Sequence, residues 1–350
     1  MDKMAYYPVN YHVARTQFRA LAVSKKWELH SLAVDESDGL YIDVALWRGS
    51  SESLMIHSSG VHGVEAFPGS AVQCAFLSSW EPGSANSPSI ALIHCINPFG
   101  MRYLRRWNAQ NIDLNRNFLP SFDNLPTNPF YDRLSSFLNP QSRNQLSYFT
   151  LKAVVLLMKH GLASLQQAVA QGQYNNPVGL FFGGKQPVIE NSLLRHFLQQ
   201  YLSEYKIIRG IDFHTGLGKF NQSSFYLEAL FGQETHQQAE SIFNQPVIRT
   251  DAQTKHSYQM QGSLVAGLRA QYAEQDFWMV TQEVGTVGPV EILRVLRKEN
   301  FNFHYQSEDQ AGARLAVKDA FCPDNNIWRK QAVQSGVQAL TQLVKTHSSH

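Results

Sequence analysis

The chain has 350 residues, 43% of them hydrophobic and 17% charged, proportions of a folded globular protein that exclude disorder as its main state. Thirty Lys+Arg against 28 Asp+Glu leave a formal charge of +2, with no long run of like charge, so a nucleic-acid partner is not expected. Cys74, Cys95 and Cys322 are odd in number, widely spaced and without C-x-x-C, which excludes a disulfide framework and a thiolate zinc site and points to a reducing compartment.

Residues 1–20 lack the apolar core and small-residue cleavage site of a signal peptide. The apolar run at 153–158 is far short of the roughly 20 residues a bilayer span needs. A cytoplasmic protein without a membrane partner is the expectation. Strand-like segments at 40–47 and 53–59 come first, then a helical pattern at 68–80 and a strand at 90–96. Residues 119–140 are polar and rich in Pro and Asn; with the helical pattern at 151–171 and the loop at 175–184 they read as an insertion at about 119–185, folded onto one core as a candidate cleft wall. A helix at 189–205, strands at 207–213 and 224–230, and helices at 234–243 and 263–272 follow. A strand at 277–283 and helices at 289–298 and about 326–344 close the chain. Strands alternating with helices predict a single α/β domain over 1–350, with a mixed, mostly parallel twisted sheet covered by helices on both faces.

Four blocks carry chemistry. Ser58-Ser59-Gly60-Val61-His62-Gly63-Val64-Glu65 follows a strand, and its glycines allow a tight turn that would bring an imidazole and a carboxylate to one cation. An H-x-x-E spacing alone is common by chance, and a catalytic zinc of the His₂Glu type needs a second histidine from elsewhere. His214 supplies it at the carboxyl end of a second strand, where open α/β sheets place ligands. Asp212, two residues earlier, is a candidate to stand behind that imidazole. Arg102, Arg105 and Arg106, followed by Asn111-Ile112-Asp113-Leu114-Asn115-Arg116-Asn117-Phe118, are either a solvated basic loop or a site for a carboxylate, for which Arg offers a planar fork. Glu283 ends the strand at 277–283 and is either a general base or a buried structural acid. His57 and His94, inside strand segments, are expected to be internal.

In this order, each at a strand end, the four blocks resemble the zinc carboxypeptidase superfamily, with the fold of carboxypeptidase A. They look closest to a bacterial branch labelled a domain of unknown function. The matching blocks run from about 53 to 118 and from 207 to 286, and the G-x-H-G-x-E form is also similar to the succinylglutamate desuccinylase and aspartoacylase branch. The resemblance implies one zinc ion held by His62, Glu65 and His214, although the same ligand set accepts cobalt or nickel. It implies that Glu283 takes a proton from the attacking water and returns it to the leaving amine. Arg106, ten residues before Arg116, would polarise the scissile carbonyl, with Arg105 as the alternative. Asn115 and Arg116 would grip the terminal carboxylate of a small peptide or acylated amino acid. Asp113 would orient a metal-bound histidine, and Tyr258 would cap the substrate. The expected activity is hydrolysis of a peptide or amide bond next to a free carboxylate. An N-acyl amino acid deacylase or esterase is one alternative, and a non-catalytic metal-binding protein is another, against which the presence of Glu283 argues.

Overall fold

A computed structural model describes residues 6–81, 87–250, 261–305 and 309–346. Its centre is a parallel group of strands: β3 (Ser53–Ser59), β4 (Ser89–His94), β5 (Ile207–Gly216) and β8 (Asp276–Gly285). β3 and β4 are buried at every position, which is why they read as continuous apolar runs instead of alternating ones: both faces are covered. β1 (Glu28–Asp35) and β2 (Leu40–Trp47) pair antiparallel beyond β4, while β6 (Ser223–Glu228) pairs antiparallel with β8 and carries β7 (Val247–Thr250) at the far edge. The strand order is β1-β2-β4-β3-β5-β8-β6-β7. After β3 the chain moves to β4 on one side, and it later returns to β5 on the other. The connections diverge between β3 and β5, and the carboxyl ends of such strands are where open α/β sheets place their ligands.

The expected α/β architecture with a mixed, mostly parallel sheet is the one observed. Helix α2 (Ala66–Ser79) is buried from Ala66 to Leu77 and lies against α1 (Tyr11–Ser24) and α13 (Asn326–Thr346). α8 (Ile189–Leu202) packs on α10 (Leu264–Gln271), and α9 (Gln233–Phe243) on α13. Gln73 of α2 donates to the carbonyls of His57 (3.2 Å) and Ile93 (3.0 Å), and its amide lies 3.2 Å from His57 Nδ1. His57 is thus a core residue. So is His94, whose Nε2 lies 3.0 Å from Ser70 Oγ. Burial pushes both imidazoles down to about 4.

Elements missing from the sequence reading are mainly peripheral. β1 mixes exposed and half-buried positions and β7 has four residues, so neither carries a clear period. Within 119–185 lie four helices: α4 (Pro129–Leu138), α5 (Arg143–Leu146), α6 (Phe149–His160) and α7 (Leu162–Ala170). The single helix expected at 151–171 is broken at Gly161, whose φ of +75° no right-handed helix continues through. The helix expected at 289–298 runs on as α11 (Pro289–Tyr305) and is followed by α12 (Gln310–Phe321). Among the described residues, no single helix is long and apolar enough to cross a membrane.

Two glycines make the turn after β3. Gly60 has a φ of +70°. Gly63 lets the turn meet α3 (Pro98–Arg102), because a Cβ there would fall 2.1 Å from the backbone carbon of Gly100. The amides of Gly63 and Val64 then bond to the carbonyls of Arg106 and Arg105, both at 3.1 Å. The chain segment bearing His62 and Glu65 is thereby tied to the one bearing the arginines. Gly63→Ala must push two backbones apart and is expected to lower stability by about 1–3 kcal/mol or more, read as a lower urea midpoint. An unchanged midpoint would contradict this close approach.

Candidate metal centre and active site

Glu65 is 1% exposed and lies between two imidazoles. Its Oε1 is 2.9 Å from His62 Nδ1 and its Oε2 is 3.0 Å from His214 Nδ1. His62 precedes and Glu65 ends a single turn of 3-10 helix, Gly63–Glu65, which is how two side chains three positions apart face one point. His214 arrives from β5. There Asp212 and His214 share a face because strand side chains alternate with period two. One donor atom from each of His62, Glu65 and His214 lies within 4.8 Å of the others, and all three residues are buried.

Behind each imidazole stands a carboxylate. His62 Nε2 is 3.2 Å from Asp113 Oδ1, and His214 Nε2 is 2.6 Å from Asp212 Oδ2. Asp212 is itself held by Ser58 Oγ at 2.7 Å, its partner in the β3–β5 register. With both Nε2 atoms engaged, the Nδ1 atoms turn toward Glu65. His62 Nδ1 lies 2.9 Å from Glu65 Oε1 but out of line for a hydrogen bond. Two imidazoles oriented by carboxylates and one further carboxylate form a donor set that fits a divalent cation of the zinc type.

The electrostatics agree. Burial alone would raise the Glu65 carboxyl, but the two imidazoles overcome it and hold the group well below the usual carboxylate range. Asp113 is likewise held low against burial by His62, Arg106 and Arg116. For His214 burial acts downward, yet Asp212 and Glu65 raise it well above the ordinary imidazole value. Glu283 sits beside His214 in the β5–β8 register and accepts from the Leu217 amide at 3.2 Å. Burial, joined by the charge of Glu65, pushes its carboxyl up to about 8.

The two adjacent arginines part company. Arg106 reaches the cluster, with Nη1 3.0 Å from Glu65 Oε1, Nη2 2.7 Å from His62 Nε2 and 3.5 Å from Asp113 Oδ2. Arg105, named as the alternative substrate arginine, is corrected by its surroundings. Fully buried, it pairs with Glu299 at 2.6 and 3.3 Å, bonds Asn111 at 3.0 Å and stacks on Phe303. It is a core residue. Arg102 is also engaged elsewhere, 3.0 Å from Asp38.

Asn115 and Arg116 lie in a second short 3-10 turn, Leu114–Arg116, entered from Asp113. Asn115 Oδ1 accepts from the Leu264 amide at 2.8 Å. Arg116 is buried and donates from Nη1 to the Asn115 carbonyl at 2.6 Å, while its Nε has no hydrogen bond. The end of the 119–185 segment packs on both site arginines: Phe181 lies 5.8 Å below Arg106, Gly172 abuts the Arg116 side chain, and Tyr174 donates to the Arg116 carbonyl at 2.6 Å. Tyr258, assigned to cap the substrate, lies outside the described residues.

Sequence reasoning passed over Ser58, because its role follows only from the register of β3 against β5. It also passed over Glu228, which accepts from Ser263 Oγ at 2.6 Å and is coupled to Arg116; burial pushes its carboxyl up to about 7. Ser58 opens the block that carries His62, but nothing local pairs it with Asp212, and no motif marks Glu228.

A family model described as a protein of unknown function, DUF2817, matches residues 7–335. No curated protein matches the chain. Among solved structures the chain is similar to a proposed metallopeptidase from Shewanella denitrificans, with 13% identity, a TM-score of 0.51, and 97% of this chain and 91% of that one covered. It is also similar to bovine thrombin-activatable fibrinolysis inhibitor, with 11% identity, a TM-score of 0.50, and 94% and 99% covered. A metallo-carboxypeptidase from Burkholderia cenocepacia gives 10% identity, a TM-score of 0.50, and 96% and 68% covered. At these identities the likeness is one of fold.

Two outcomes separate structural from site residues. Arg105→Ala strands the buried Glu299 and is expected to cost about 3–5 kcal/mol of stability with or without zinc, whereas Arg106→Ala, which removes a partner of Glu65 and Asp113, is expected to cost clearly less once zinc is bound. Equal destabilisation by the two in zinc-loaded protein, read from urea midpoints, would contradict the division. Because the folded Asp113 carboxyl is depressed, its stabilisation is complete above the ordinary carboxylate range and drains away as pH falls below about 4. Asp113→Asn should therefore flatten the loss of stability between neutral pH and about pH 3, measured by urea unfolding at both. A variant that follows the wild-type pH slope would remove the assignment.

Proposed function

We propose that this chain, which belongs to the DUF2817 family, is a zinc-dependent hydrolase that cleaves a peptide or amide bond next to a free carboxylate. The observation that carries the reading is the buried convergence of His62, Glu65 and His214, with Glu283 on the neighbouring strand. These three residues would hold the metal. When bound, zinc supplies the charge that acidifies water and polarises a carbonyl.

The chain's own groups divide the remaining work. Glu283 takes the proton from the attacking water and hands it to the leaving nitrogen. The desolvation that raises its carboxyl suits a group that must hold and release a proton near neutral pH. Arg106 faces the negative charge that grows on the carbonyl oxygen as the carbon becomes tetrahedral, a form of electrostatic stabilisation that is strong where water is excluded. Arg116 offers the guanidinium edge left without a partner, and Asn115, whose oxygen is taken by Leu264, offers its amide hydrogens. Together they suit the terminal carboxylate of a small peptide or acylated amino acid. Asp113 and Asp212 hold the imidazoles in orientation. A non-catalytic metal binder would have no use for a desolvated acid at Glu283. The three cysteines are free and buried, which supports a reducing, cytoplasmic setting.

The test is a zinc-loaded protein offered dipeptides, N-acyl amino acids and simple esters, each with its carboxylate free and blocked. Turnover is expected only on substrates with a free carboxylate, and the panel separates peptidase from deacylase and esterase. Glu283→Gln should keep its zinc and lose turnover by about 10² to 10⁴. Wild-type turnover in that variant would overturn the mechanism. Arg106→Ala should lose on the order of 10² to 10³ in kcat.

A further inference from the structure

Helix α6 has an apolar face that the fold leaves uncovered. Phe149 and Ala153 are buried against the protein, but Leu151, Val154, Val155 and Met158 are 64, 44, 48 and 76% exposed, and Tyr148, just before the helix, is 75% exposed. Spacings of three and four place these side chains in one stripe along one side of the helix. Among the described residues, five of the 14 exposed large apolar side chains fall here, whereas the others are scattered along the chain. Scattered ones need no explanation; a continuous stripe does.

The charge around the stripe indicates what covers it. From residue 133 to residue 189 the chain has no Asp or Glu, while it has Arg133, Arg143, Lys152, Lys159 and Lys185. The whole protein carries only +2, so the rest is net acidic. Lys152 and Lys159, both exposed and seven residues apart, run along one edge of the stripe. Lysine is depleted at protein interfaces. An apolar stripe edged by lysine, in a segment free of acid, suits the headgroup level of an anionic bilayer. At Gly161 the chain turns by 106° into α7, so α6 ends as a short surface helix.

We propose that α6 docks on an anionic lipid surface, with Tyr148, Leu151, Val155 and Met158 entering the headgroup boundary and Lys152 and Lys159 meeting the lipid phosphates. The sequence expectation of no membrane partner rested on the length needed to span a bilayer, and a helix lying in the interface needs no span. The docking surface is independent of the hydrolase reading.

The test is cosedimentation of the full chain with phosphatidylcholine vesicles that either contain or lack phosphatidylglycerol. Sedimentation is expected with the anionic vesicles only, and it should weaken as salt is raised. The triple variant Leu151→Ser, Val155→Ser, Met158→Ser should keep its melting temperature, since these side chains are exposed, and bind on the order of tenfold more weakly. Lys152→Glu with Lys159→Glu should also weaken binding. No sedimentation with anionic vesicles, equal binding to neutral ones, or an unweakened triple variant would overturn the proposal. So would a wild-type dimer, formed without lipid and abolished by the triple variant, which would make a second copy the occupant.

Discussion

Burying Glu65 between two imidazoles, where water is scarce, is the constraint to which the surrounding structure answers. A desolvated carboxylate is costly unless it is paired and hydrogen-bonded. Glu65 is met by His62, His214, Arg106 and the Thr215 amide. The imidazoles are held in turn by Asp113 and Asp212, and those acids by Arg106 and Ser58. Within this group Glu65, Asp113, Asp212 and Glu283 are four acids, and Arg106 and Arg116 are two guanidiniums. In the metal-free protein His214 is raised toward its charged form and Glu283 toward its neutral one, which leaves three carboxylates against three cations. A divalent cation bound among these donors would take the place of the protons on His214 and Glu283.

The sheet makes this convergence possible. β3 and β5 are neighbours that lead to diverging connections, so the turn after β3 lies beside the end of β5. β8 adds Glu283 one strand further along. The arginines come from the connection after β4 and are drawn in by the backbone bonds from Gly63 and Val64. Every residue proposed for metal or proton chemistry therefore sits at the carboxyl end of a parallel strand or in the turn that follows it. The 119–185 segment packs on the same arginines, Phe181 against Arg106 and Tyr174 against the Arg116 carbonyl.

How much of this was legible in the sequence depended on how local the signal was. His62 and Glu65 stand in one glycine-marked turn, and Asp212 and His214 share a strand face by period two, so each pair stood out within a short segment, while the ligand set itself was implied by the resemblance. Central strands announced themselves as continuous apolar runs, whereas the edge strand β1 and the four-residue β7 did not. Arg105 and Arg106 are adjacent in a loop with no periodicity, and what separates them is Glu299, 194 residues away. The bond from Ser58 to Asp212 depends on strand register, which no single segment encodes. The helix at 151–171 was visible as a pattern, but its break at Gly161 and the outward face of α6 follow only from packing.

The central claim is that two imidazoles and one carboxylate bind a single divalent metal. Zinc-edge X-ray absorption on the zinc-loaded protein tests it most directly. The account predicts about one zinc per chain, with two imidazole nitrogens at roughly 2.0–2.1 Å and the remaining ligands oxygen. A zinc site with sulfur ligands, a single imidazole or none, or a protein that takes up no zinc at all, would contradict it.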